Sequence, residues 1–237
     1  MKFKLTKLEK NWILYDIGNS AFILMVATMI PIYFDYLAGN ANISSVDYLA
    51  YWGYAASIST LFVAVIGPIF GTFADNKNHK KPIFMVSIAI GAIGCAMLGF
   101  IQSWLAFLIV YVIAKIGYNS SLIFYDSMLP DITEENRMDQ VSSLGYAWGY
   151  IGSVIPFILS LALVLGADSL GLTMTTAMMI SFCIIAIWWI LASIPLLKNY
   201  QQKYYIDSQN MAVGDSFLRL INTLKNVKKE KWCLQSL

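Results

Sequence analysis

Six stretches of this chain are apolar over lengths that cross a bilayer, and nothing else in the sequence restricts the fold as tightly. They run over about 12–36, 49–74, 82–102, 104–125, 141–165 and 173–197. At about 1.5 Å of rise per helical residue, roughly 20 residues span a hydrocarbon core of about 30 Å. Within that core each segment must satisfy its own backbone N–H and C=O groups, so the expected fold is an all-α integral membrane bundle. Pro31, Pro68, Pro156 and Pro195 are tolerated there as kinks or end markers, because neighbouring helices and side chains take up the freed carbonyls. Only 13% of residues are charged, against about 25% in soluble domains.

The charges fix an orientation. Of 16 Lys and Arg, four precede the first segment, three (Lys77, Lys80, Lys81) join the second and third, Arg137 joins the fourth and fifth, and seven follow the sixth. The alternate connections (38–48, 103 and 166–172) hold none. By the positive-inside rule both termini are cytoplasmic and the protein is a multi-pass component of a cell membrane. Residues 1–11 then form a cytoplasmic lead, 12–197 the six-helix bundle and 198–237 a cytoplasmic tail. Over about 215–229 the tail places Phe217, Leu220, Ile221, Leu224 and Val227 on one helical face and Arg219, Asn222, Lys225 and Lys228 on the other. That helix lies on the inner leaflet or packs on another cytoplasmic element. Because the basic residues follow membrane topology, nucleic-acid binding has no support. Scattered Cys95, Cys183 and Cys233 and a lone His79 give no metal or disulfide framework, and no cofactor is expected.

Lys115 is the exception to the charge pattern, placed near the middle of the fourth segment. A lysine at bilayer depth costs roughly 2.5–3.5 kcal/mol on insertion scales, so it turns toward a protein interior or a wet cavity. Tyr111, Tyr118 and Asn119 share its helical face, and the first segment carries Asp16 and Asn19. These six residues are the candidate solute or ion path. Asp16 and Lys115 are expected roughly 12 Å apart in depth, too far for a direct ion pair. Small residues at helical spacing (Gly67 and Gly71, then Gly145, Gly149 and Gly152) mark close-packed faces on segments two and five. Segments one and four read as lining, and three and six as lipid-side support. The chain lacks the Gly-x-Gly-Asp, His-Glu-x-x-His and Gly-x-Ser-x-Gly signatures, so an enzyme is not expected.

The turn from Gly67 to Lys81 holds Gly71-x-x-x-Asp75 ahead of basic Lys80 and Lys81, and resembles the loop signature of the major facilitator superfamily. Asn76, Asn78 and His79 depart from it, standing where a basic residue, a glycine and an arginine are common. Trp12 to Phe22, with Tyr15-Asp16-x-Gly18-Asn19-Ser20, is similar to the opening helix of the vacuolar effluxer branch, which includes a fungal autophagy-related vacuolar amino-acid exporter and bacterial relatives. Phe124-Tyr125-Asp126 through Pro130-Asp131, and then Gly145 to Ser153, resemble its helix 4–5 junction, with Asp126 where an asparagine is common.

The resemblance implies two six-helix halves, each an inverted 3+3 repeat, around a central cavity, with this chain supplying the N-terminal half. It further implies a secondary-active transporter moving a small solute such as an amino acid by alternating access, in a vacuolar membrane if fungal. Gly71, Asp75, Lys80, Lys81, Asp126 and Asp131 would form the cytoplasmic gate. Lys115 would meet an anionic group near the midplane, while Asp16 and Asn19 serve gating or proton entry. The chain is expected to be a fragment, or to pair with a separately encoded second half or with itself. The alternative is a non-transporting six-helix scaffold or truncated remnant.

Overall fold

Thr6 opens the first helix. Its hydroxyl accepts from the Glu9 N–H at 3.2 Å while the Glu9 carboxylate accepts from the Thr6 N–H at 2.7 Å. This reciprocal capping starts α1 (Lys7–Ala27) ahead of the apolar run. The computed structural model describes residues 4–206, so the expected helix over 215–229 lies outside the described residues. Helix α1 ends at Thr28, with φ −132° and ψ −75°, and α2 (Met29–Asn40) continues the span as a second rod. Pro31 accounts for the break, since it offers no N–H to the carbonyl four residues back and its ring crowds that carbonyl. The Thr28 hydroxyl donates to the Leu24 carbonyl at 2.6 Å, which satisfies one acceptor at the break.

The other spans are α3 (Ser45–Ala74), α4 (Lys80–Leu98), α5 (Trp104–Ser127), α7 (Met138–Leu165) and α8 (Met174–Asn199), with the single turn α6 (Leu129–Ile132) after α5. Together with the α1–α2 rod they make, among the described residues, six helices long and apolar enough to cross a membrane. Ser44 and Thr173 cap α3 and α8 by accepting from the N–H groups of Asp47 and Thr176.

Helix α1 packs on α7 and α8, α4 on α5 and α8, and α3 on α5. Lipid tails are as apolar as leucine, so shape and ring geometry hold these contacts rather than escape from water. Aromatic rings dominate the core. Trp12 stacks on Tyr125 at 4.1 Å, Trp52 on Tyr111 at 4.6 Å, and Phe22 lies between Tyr118 and Trp189 at 5.3 and 5.6 Å. The tightest backbone approach joins α4 and α5, where a Cβ on Gly117 would stand 2.5 Å from the Gly91 nitrogen.

Two expectations about helix roles change. Segments three and six, read as lipid-side support, are α4 and α8, and they put Phe84, Ile88, Cys95, Phe182, Ile185 and Trp189 into the core. Hydropathy could not show this, because a face toward lipid and a face toward another helix are equally apolar. The bare helices are instead α3 and α7, with 11% and 22% of their apolar stretches buried against 44% for α4, α5 and α8. Among the small residues, Gly145 and Gly152 admit Trp12 and Ile17, where added Cβ atoms would come within 2.7 and 2.5 Å. Gly67 meets only the end of Ile123, and a Cβ at Gly71 meets nothing.

Candidate functional site

A cavity of about 390 Å³ opens between α1, α5 and α7. Helical spacing puts Asp16 and Asn19 on one face of α1, and the Asn19 amide donates to the Asp16 carboxylate at 3.4 Å and to the Tyr15 carbonyl at 3.3 Å. Helix α5 contributes Tyr118, Tyr125 and Asp126, and α7 contributes Ser142, Tyr146 and Tyr150. Gly149 makes room for this arrangement: a Cβ there would lie 2.9 Å from Asp16 Oδ2 and 3.0 Å from Ser20 Oγ. The Trp12 indole donates to the Tyr125 carbonyl at 3.1 Å and fixes α1 against α5 at one end of the cavity. Among the described residues two carboxylates line the wall, and no Lys, Arg or His does. A site of this character draws in protons or cationic groups.

The six expected path residues do not share one wall. Asp16, Asn19 and Tyr118 meet in the cavity, whereas Lys115 lies outside its lining. The Lys115 ammonium folds back along α5, donating to the Tyr111 hydroxyl at 3.2 Å and lying 5.6 Å from that ring's centroid. Tyr111 itself is fully buried under Trp52. The side chain of half-buried Asn119 has no hydrogen-bond partner among the described residues. Among those residues Lys115 pairs with no carboxylate, Asp16 included.

The expected gate residues also separate. Lys80, at the first position of α4, is buried with its ammonium 3.6 Å from Asp131 Oδ2 and 3.1 Å from the Ser127 carbonyl it donates to. Asp131, in α6, is buried as well. Asp75 is exposed at the end of α3, and neither it nor Lys81 forms an ion pair among the described residues. Asp126 belongs to the cavity rather than to this cluster, because it sits more than one turn before Asp131 on the side of α5 that faces α1 and α7. Asn78 adopts φ +63°, a left-handed conformation that asparagine tolerates better than most residues other than glycine.

Two features escaped the sequence reading. The Arg137 guanidinium donates to both oxygens of buried Glu9 at 2.9 and 2.8 Å, and Thr133 donates to the same carboxylate at 2.6 Å. This ties the start of α1 to the turn before α7. The Thr6-x-x-Glu9 capping pattern was the available signal. The other feature is the segment after α8. Tyr200 donates to Asp131 Oδ2 at 2.5 Å, and the Lys203 and Tyr204 N–H groups both donate to Oδ1 at 2.9 Å. Burial, and then the Asp131 carboxylate, push the Tyr200 phenol well up from its usual value, so it stays a donor. Among the described residues no three His, Cys, Asp or Glu gather into a metal-binding group.

Residues 41–234 match a family model described as vacuole effluxer Atg22 like. An uncharacterized MFS-type transporter, YxiO of Bacillus subtilis (strain 168), is 40% identical over 234 residues, which cover 97% of this chain and 55% of that protein. The chain therefore spans about half the length of the curated relative it matches. No solved structure matches.

Proposed function

The chain belongs to the Atg22-like vacuole effluxer family of MFS-type transporters, and from that premise we propose that it forms one six-helix half of a secondary-active carrier for a small solute such as an amino acid. The observation that carries the reading is a polar cavity at the seam of α1, α5 and α7 in a bundle whose α3 and α7 remain largely bare. A half-open cavity of this kind needs a second wall, and the bare faces of α3 and α7 offer somewhere for that wall to pack. The partner would be a second six-helix half, encoded in the same chain, in another chain or in a second copy. Solute would enter as the halves rock about the cavity in alternating access. Asp16 and Asn19 would meet protons or a cationic group there. Lys115, about one turn further along α5, would meet a carboxylate when a rearrangement draws it off Tyr111.

The charge distribution supports a multi-pass protein with both termini cytoplasmic, in the cell membrane or in a vacuolar membrane if the source is fungal. The ring-packed core is closed without further helices, which also suits a non-transporting scaffold. Flux through proteoliposomes separates the two readings. The assembly of both halves is expected to move labelled amino acids, with Lys115→Ala lowering the rate at least tenfold and Lys115→Arg retaining part of it. Unchanged uptake and ion coupling in both variants would remove Lys115 from the mechanism, and absence of flux for any solute would favour the scaffold.

A further inference from the structure

The segment 200–206 crosses the same end of the bundle as the loop between α3 and α4, and it bonds to both sides of that loop. The Gln202 amide donates to the Ala74 carbonyl at the end of α3 at 3.1 Å, and its oxygen accepts from the Lys80 N–H at the start of α4 at 3.5 Å. Ile206 donates its N–H to the Asp75 carbonyl at 2.8 Å. The Lys77 ammonium lies 5.1 Å from the centroid of the Tyr205 ring. On the other flank the segment grips Asp131, which is 1% exposed. Among the described residues, three of that carboxylate's four donors come from the segment: the Tyr200 hydroxyl and the two successive N–H groups of Lys203 and Tyr204. Successive backbone N–H groups form a concave anion cradle. Lys80, the fourth donor, stands at 3.6 Å, well beyond the roughly 2.7–2.9 Å of a strong charge-assisted bond.

We infer that Tyr200 and the strap it begins are the positioning elements of this gate, and that Asp131 is held by the strap first and by the loop lysine second. Lifting the strap would leave a buried carboxylate with a single distant donor, which is costly. Lifting the strap therefore loosens the loop as well. A pull on Ile206 would therefore reach the α3–α4 loop directly, through Asp75 and Gln202, and also by way of Asp131. The inference rests on the transport reading for what the gate serves. Its test does not, because no solute is needed.

The test is amide hydrogen exchange on the full chain in nanodiscs, comparing the native protein with Tyr200→Phe, Asp131→Asn and Lys80→Met. Tyr200→Phe keeps the ring in place and deletes one donor. It is expected to speed exchange at least tenfold both in the strap (203–206) and in the loop (75–80), to which Tyr200 itself makes no hydrogen bond among the described residues, with α5 unchanged. Asp131→Asn should do the same. Lys80→Met should loosen the loop and leave the strap within twofold of native. Strap exchange rising without the loop in Tyr200→Phe, or no rise in either, overturns the inference. So does Lys80→Met releasing the strap as fully as Tyr200→Phe, because the ion pair would then be the primary hold. A uniform rise along α5 in both Tyr200→Phe and Asp131→Asn would also count against it. A carrier without detectable flux leaves the exchange result standing.

Discussion

Tyr200 illustrates how one hydroxyl acquires weight from its surroundings. It donates to a buried carboxylate, and bonds to charged groups contribute about 1.5–3 kcal/mol each. Its phenol is raised above the ordinary value of about 10, so the folded state holds the proton more tightly than the unfolded chain. That contribution is complete below about pH 10 and is lost as pH climbs toward the raised folded value. The gap in melting temperature between the native protein and Tyr200→Phe should therefore be constant from about pH 6 to 9 and shrink above about pH 10, as thermal scans in detergent will show. A gap that closes below neutrality would assign the effect to another group. Sequence alone had picked out Asp131 and Lys80, because acids and bases at span ends stand out against an apolar background. It could not see Tyr200, because a tyrosine in a polar linker has no pattern of its own, and its partner lies 69 positions away. Lys115 was visible for the same reason as Asp131. Spacing already set Asp16 out of its reach, whereas the hydrogen bond its ammonium gives to Tyr111 depends on rotamers that spacing does not determine.

At the level of helices, glycine contacts make a sharper prediction than glycine spacing. Gly117→Ala would push a Cβ to 2.5 Å from the Gly91 nitrogen and 2.9 Å from its Cα, and backbone cannot step aside as a side-chain tip can. Overpacking of this sort costs about 1–3 kcal/mol, and the melting temperature should fall accordingly. Gly71→Ala meets no atom and removes a helix-weakening glycine, so it should be neutral or raise stability by up to about 1 kcal/mol. The reverse order in thermal denaturation would refute the placement of α4 against α5. The spans themselves were legible because length and apolarity are strong signals. The break at Thr28 was half legible, since Pro31 announced a kink, whereas the continuation as α2 depends on packing. The α4–α5 contact was not legible: Gly91 and Gly117 sit on different segments, and no single-segment motif joins them.

For the molecule as a whole, the bare flanks of α3 and α7 and the one-sided cavity lead to a further expectation. Proteoliposomes holding only this 237-residue chain should show no solute flux above empty vesicles, while supply of a second six-helix half should restore it. Flux from the chain alone, with cross-linking showing no second copy, would sink the two-half reading. The aromatic core adds a constraint of its own. Trp12 on Tyr125, Tyr15 against Phe84, and Phe22 against Trp189 interlock across α1, α4, α5 and α8, and interiors packed this densely have low compressibility. Such a core has little freedom to shear internally, so if the two halves rock as proposed it would pivot as a solid piece. Any deformation that accompanies the pivot is then confined to its margins: the joint at Thr28, the short turns, and the ribbon that leaves α8.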